Sequence, residues 1–216
     1  MSTEFDGRRL PVYLVLDCSG SMSGEPIEAV RQGVKALLAD LRGDPSAVDT
    51  AFLSVITFNS GAQQVSPLTE LMLFTEPTLD ASGSTMMGEA LKLLEQAIDK
   101  EVRKSTPTQR GDWRPLVFLM TDGQPTDSWE GPADSLKAKK LGNIIACAAG
   151  PGAITEPLKR VTETVVKLAN LQPDTLKAFF KWVSDSIKKT SQSMAQVAAD
   201  APVGLPPAPP QIHMVP

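Results

Sequence analysis

The chain has 216 residues, 42% of them hydrophobic and 21% charged, enough for one globular domain with a full core and a tail. Its 25 acidic and 21 basic residues give a net charge of −4, which excludes the basic footprint expected of a nucleic-acid binder. The start, MSTEFDGRR, lacks the apolar segment of a leader, and no run approaches the roughly eighteen apolar residues of a membrane span, so a cytoplasmic protein is expected.

Residues 1–9 read as an N-terminal segment. Leu10, Val12, Leu14, Val15 and Leu16 then form a short apolar run, the pattern of a strand buried on both faces, ending at Asp17 and the turn residues Ser19, Gly20 and Ser21. Ile27, Val30, Val34, Leu37, Leu38 and Leu41 recur at helical spacing as far as Gly43. TAFLSVITFN predicts a second buried strand, and AQQVSPLTEL, which carries Pro67, suits an edge strand or a loop. Met87, Leu91, Leu94, Ala97, Ile98 and Val102 mark another helix, and the apolar run 116–120 is a further strand, followed by Asp122.

DSLKAKKLGNIIACAAG predicts a short helix and a strand over 143–149, and EPLKRVTETVVKLANL repeats that pair in abbreviated form. The last helix places Leu176, Phe179, Phe180 and Val183 inward, with Asp174 as its candidate cap. Alternating strands and helices predict an α/β, doubly wound architecture: a mostly parallel sheet with helices on both faces. This domain is expected over 10–194, leaving 195–216 as a proline-rich C-terminal tail. Pro202, Pro206, Pro207, Pro209, Pro210 and Pro216 favour an extended linker there, which also carries the one histidine, His213. Cys18 and Cys147 sit in or beside apolar runs and read as small, reduced, buried thiols.

Ligands of a doubly wound sheet sit beyond the carboxyl ends of its strands, where strand order reverses. Asp17, Ser19 and Ser21 follow the first strand, Asp122 follows the fourth, and Thr85 lies in the polar loop DASGSTMMGEAL ahead of a helix. Two-residue spacing lets Asp17, Ser19 and Ser21 point the same way while Cys18 and Gly20 point elsewhere. Two carboxylates and three hydroxyls are all hard oxygen donors, a set suited to Mg²⁺, Mn²⁺ or Ca²⁺ and disfavouring zinc.

With DCSGS, SGSTMMGEAL and MTDG, the chain resembles the von Willebrand factor A (VWA) domain family at its metal-ion-dependent adhesion site. The resemblance extends from about residue 10 to residue 194. Within that family, DCSGSMSGEPI, SGST, FLMTDGQPTD and LKAFFKWVSDSI are most similar to bacterial TerY-type tellurium-resistance proteins. It implies a Rossmann-like sandwich, its six-stranded sheet mostly parallel with one antiparallel edge strand. It also implies a divalent cation held by Asp17, Ser19, Ser21, Thr85 and Asp122. The three hydroxyls would contact the ion and the carboxylates would act partly through water, leaving a position for an Asp or Glu carboxylate of a protein partner. The implied setting is a tellurite-resistance or stress-response system, with kinase-like or phosphatase-like proteins of the same gene cluster as partners. Met22 and Met86 are candidates for a soft partner-binding rim, with Met87 either joining them or packing in the core. Trp129 is either an interface anchor or a plug on the hydrophobic end of the sheet.

An enzyme is not expected. Aspartyl phosphoryl transfer of the haloacid-dehalogenase type needs a second carboxylate where this chain has Ser19. No G-x-S-x-G elbow or G-x-x-x-x-G-K-[ST] loop is present, and the one histidine lies in the tail. The alternatives are a Mg²⁺-dependent phosphatase-like enzyme and a metal-independent scaffold. In the scaffold, Asp17 and Asp122 would cap helices while Ser19, Ser21 and Thr85 satisfied turns.

Overall fold

A computed structural model of the protein describes residues 7–196 and 204–216. Seven strands form one sheet: β1 (Leu10–Asp17), β2 (Ala51–Phe58), β3 (Ala62–Glu70), β4 (Leu116–Thr121), β5 (Asn143–Ala149), β6 (Thr164–Leu168) and β7 (Ile212–Val215). Their order is β3-β2-β1-β4-β5-β6-β7. The five strands from β2 to β6 are mutually parallel, while β3 and β7 pair antiparallel at the two edges. β1 is flanked by β2 and β4, so the carboxyl ends of β1 and β4 meet at the switch point.

Each face of the sheet has its own core. Leu10, Val12, Leu14 and Leu16 of β1 face α1 (Glu25–Arg42) and α6 (Pro173–Gln196), where they meet Val34, Leu38, Phe179 and Val183. Tyr13 and Val15, one register step away, face the other layer. There α3 (Met87–Glu101), α4 (Glu130–Lys139) and α5 (Glu156–Val161) contribute Leu91, Leu94, Leu136 and Leu158. Both sets being apolar, β1 reads as a continuous hydrophobic run, as a parallel strand covered on two sides must. A short α2 (Pro45–Thr50), capped by Asp44 through the Ala47 amide at 2.9 Å, leads into β2.

α1 and α6 approach closely because Gly33 leaves room for the Phe180 ring: a Cβ at Gly33 would overlap its Cδ2. Asp40 of α1 pins the same pair by accepting hydrogen bonds from Lys181 at 3.2 Å and Lys188 at 2.7 Å of α6.

The sheet exceeds the sequence expectation by one strand and one antiparallel edge, and the extra strand comes from the proline-rich segment expected to be a linker. Leu205 and Ala208 pack against the core, and Trp182 Nε1 donates to the Pro206 carbonyl at 3.1 Å. Past Pro210 the chain regains its backbone donors, and Ile212, 4% exposed, inserts beside Leu168. β7 thereby covers the β6 edge, whose main-chain groups would otherwise face solvent. β3 carries two register shifts against β2, and its exposed Pro67 occupies a sheet edge, where no ladder donor is required. At α6 the expected cap is displaced: Asp174 lies inside the first turn, and the Asn170 side chain instead accepts from Gln172 N at 3.0 Å and Thr175 Oγ1 at 2.7 Å.

Both cysteines are free and buried. Burial pushes the Cys18 thiol up to about 12 and drives that of Cys147 upward too, so neither has thiolate character. Among the described residues no helix is long and apolar enough to cross a membrane.

Candidate metal centre

Asp17 ends β1 with no exposed surface. Its Oδ1 accepts from the Ser19 amide at 2.8 Å, and its Oδ2 accepts from the Thr121 hydroxyl on the neighbouring β4. The chain then folds into a single 3₁₀ turn, Gly20–Met22, closed by the Met22 amide on the Ser19 carbonyl at 3.0 Å. That turn brings the Ser19 and Ser21 hydroxyls to 3.1 Å. Ser21 Oγ in turn donates to Asp122 Oδ1, just past β4, at 2.8 Å.

The loop before α3 closes the site from the other side. The Gly20 amide donates to the Gly83 carbonyl at 2.9 Å, and the Ser82 amide donates to the Cys18 carbonyl at 2.9 Å. A Cβ on Gly20 would lie 3.2 Å from that Gly83 oxygen, which is why glycine fits between the two serines. Gly83 itself has φ +74° and lies so close to Ser60 that a Cβ would overlap Oγ. Thr85, 7% exposed, lies against the residue after Asp122: a Cβ on Gly123 would be 3.4 Å from Thr85 Oγ1. The five oxygen-bearing residues singled out in the sequence therefore converge from three loops at the switch point.

The donor set fits a small hard cation. Octahedral oxygen ligands about 2.0–2.1 Å from Mg²⁺ stand about 2.9 Å from their neighbours. The chain of oxygens Ser19 Oγ, Ser21 Oγ and Asp122 Oδ1, at 3.1 and 2.8 Å, has that spacing. Among the described residues no group of three or more His, Cys, Asp or Glu is placed to hold a metal, so the chemistry here is hydroxyl-rich. Burial raises the Asp17 carboxyl above the ordinary carboxylate range, against the hydrogen bonds from Ser19 and Thr121, and the Asp122 charge adds to the rise. Burial likewise raises Asp122, against its hydrogen bond from Ser21. A bound cation would offset the cost of keeping both ionised.

The residues expected to form a rim divide. Met22 has no exposed surface: the 3₁₀ turn directs it into the core beneath α1, so it forms no part of a rim. Met87 is likewise wholly buried as the first residue of α3, and Met86 is half-buried. Trp129 is half-buried against the second core, with the Arg160 guanidinium 5.8 Å from its ring centroid. The sequence reading missed Thr121, although its place directly before Asp122 in MTDG marks it as the register neighbour of Asp17.

Residues 12–181 match the family model of the von Willebrand factor type A domain. The chain belongs to this family. An uncharacterized protein of Synechocystis sp. is 35% identical over 147 residues, an alignment covering 63% of this chain and 30% of that protein. This VWA chain thus spans less than a third of that relative's length. Among solved structures, a von Willebrand factor type A protein from Catenulispora acidiphila superposes with a TM-score of 0.62 at 21% identity, covering 84% of this chain and 43% of its own. Proximal thread matrix protein 1 from the mussel byssus, in a form whose MIDAS motif is occupied by zinc, gives a TM-score of 0.60 at 20% identity, covering 82% of this chain and 48% of its own. Both confirm the doubly wound VWA fold.

Proposed function

We propose that this VWA domain binds a divalent cation through Asp17, Ser19, Ser21, Thr85 and Asp122 and uses it to engage a protein partner through a partner Asp or Glu carboxylate. The observation that carries this reading is the convergence of the Ser19, Ser21 and Asp122 oxygens in one continuous chain, at separations compatible with neighbouring ligands of a metal octahedron. Three hydroxyls in such a site leave the ion electrophilic, and a carboxylate from outside supplies the missing charge. Mg²⁺ is the cation we favour, with Mn²⁺ and Ca²⁺ as the other hard ions. The zinc-occupied mussel protein makes zinc a necessary competitor in any titration.

The protein acts as a binding module rather than an enzyme in this reading. Position 19 carries a hydroxyl in place of a general acid, and His213 lies on β7, three strands from β4. We place it in the cytoplasm, in a TerY-type tellurite-resistance or stress-response system whose kinase-like or phosphatase-like proteins are its partners. The support is the resemblance of DCSGSMSGEPI, FLMTDGQPTD and LKAFFKWVSDSI to that branch. No thiol cluster serves chalcogen chemistry here, so a resistance role would describe the pathway.

The deciding experiment is calorimetric titration of EDTA-stripped protein with Mg²⁺, Mn²⁺, Ca²⁺ and Zn²⁺, beside a Ser19→Ala/Ser21→Ala double variant. Saturable binding to wild type that disappears in the variant supports the site. Equal binding by the two proteins would put the ion elsewhere, and no binding to wild type leaves a metal-independent scaffold as the better description.

A further inference from the structure

α3 begins without a cap of its own. Its N-cap position is Met86, which has no side-chain acceptor, so the first amides of the helix need partners from elsewhere. They find them in the loop beyond Asp122. Asp127 Oδ1 accepts from the Gly88 amide at 3.0 Å, and Oδ2 accepts from the Glu89 amide at 2.9 Å. A carboxylate there also suits the positive end of the helix dipole. Immediately before it, Thr126 and Thr85 are joined twice: the Thr85 amide donates to Thr126 Oγ1 at 3.1 Å, and the Thr126 amide donates to the Thr85 carbonyl at 2.9 Å.

Gly88 shows independently how closely the two segments press together. A Cβ at that position would lie 2.6 Å from the Ser128 carbonyl oxygen and 2.9 Å from Trp129 Cα. Residues 126–129 therefore rest directly on the first turn of α3. Four hydrogen bonds and one glycine-sized contact join the loop that carries Asp122 to the segment that carries Thr85. No comparable bond joins Thr85 to Asp122 themselves among the described residues.

We propose that Asp127, with Thr126, is a positioning residue of the cation site: by capping α3 from the Asp122 loop, it fixes Thr85 relative to Asp122. The proposal rests on the cation-binding reading above. Asp127 acts here through the helix it caps and not as a ligand. Loss of the cap frees the α3 start and lets Thr85 withdraw, so the ion loses a hydroxyl ligand while the Ser19–Ser21–Asp122 chain stays in place. Support of a ligand by such outer groups changes metal affinity by roughly tenfold to a hundredfold.

The test compares Mg²⁺ and Mn²⁺ affinity, by calorimetry on the EDTA-stripped full chain, in wild type, Asp127→Ala, Asp127→Asn and Gly33→Ala. The last is a control, since it disturbs the α1–α6 contact far from the site. Asp127→Ala is expected to weaken both ions about tenfold. Asp127→Asn, which keeps one acceptor where the carboxylate offered two, is expected to lose affinity as well, and Gly33→Ala retains all of it. Wild-type affinity in Asp127→Ala overturns the proposal and leaves the cap a matter of stability alone. A loss in Gly33→Ala as large as that in Asp127→Ala overturns it as general loosening. If wild type binds neither ion, the cation reading falls and this proposal with it. Should Asp127→Ala fail to fold, Thr126→Val, which removes the acceptor for the Thr85 amide, takes its place under the same criteria.

Discussion

Thr121 donates its hydroxyl proton to Oδ2 of Asp17 across the β1–β4 ladder, in the register that pairs Leu16 with Met120. With Oδ1 already committed to the Ser19 amide, Asp17 is built to orient its neighbours more than to seize an ion directly. Thr121→Val should therefore weaken Mg²⁺ binding about tenfold, the low end for loss of a group that supports ligands. It should also cost about 1–3 kcal/mol of stability, since a buried carboxylate oxygen is left without its donor. Calorimetry and urea unfolding read the two effects separately. Unchanged affinity would mean that the Thr121 bond serves only the sheet.

The raised carboxyls of Asp17 and Asp122 make pH-dependent contributions to stability that are opposite in the metal-free and metal-bound proteins. Burial lifts both above the value of 3.8 that an exposed aspartate has, so in the window just above 3.8 these two groups hold more protons in the folded metal-free protein than in the unfolded chain. Their contribution to the stability of the stripped protein should then decline as pH rises through that window, opposite in sign to that of depressed carboxyls such as Asp40, since the derivative takes the sign of protons bound unfolded minus folded. Cation binding requires the ionised forms, so affinity should fall as pH drops, beginning above the ordinary carboxylate range. Thermal melts with EDTA and with saturating Mg²⁺ should diverge as pH rises. Parallel curves would place the carboxylates outside the site.

Legibility in the sequence followed how local the determining physics was. β1, β2 and β4 were readable because a strand buried on both faces needs an unbroken apolar run, and Leu14 with Val15 satisfies the two faces at once. The oxygen cluster was readable because Asp17, Ser19 and Ser21 are close in sequence and Asp122 terminates a recognisable strand. What escaped depends on distant partners. Met22 shares the local polarity of a rim residue's surroundings, yet the turn at 20–22 sends it inward. Asp127 caps a helix 38 residues upstream, so no local pattern marks it. Prolines up to Pro210 masked the four residues of β7, whose pairing is decided by the open edge of β6.

Gly33 tests whether the α1–α6 contact is as tight as its geometry implies. Alanine at an ordinary helical site gains helix propensity over glycine, but here the added methyl meets the Phe180 ring. Gly33→Ala should destabilise the protein by about 1–3 kcal/mol, the usual cost of overpacking. A lower urea midpoint with unchanged slope would agree. A stabilised protein would show that Phe180 swings aside freely.

β7 makes the strongest claim on the C-terminal segment, because it converts a proline-rich stretch into part of the sheet. Ile212→Ala should cost about 2 kcal/mol through the cavity it leaves beside Leu168. Deleting residues 212–216 should cost more, since the ladder with β6 goes as well as the buried side chain. It should also uncover an edge whose free main-chain groups can pair with another copy. Urea unfolding measures the first effect, and sedimentation velocity at rising protein concentration measures the second. A truncated protein that stays monomeric with a wild-type midpoint would show that β6 tolerates an open edge and that β7 adds nothing to the fold it completes.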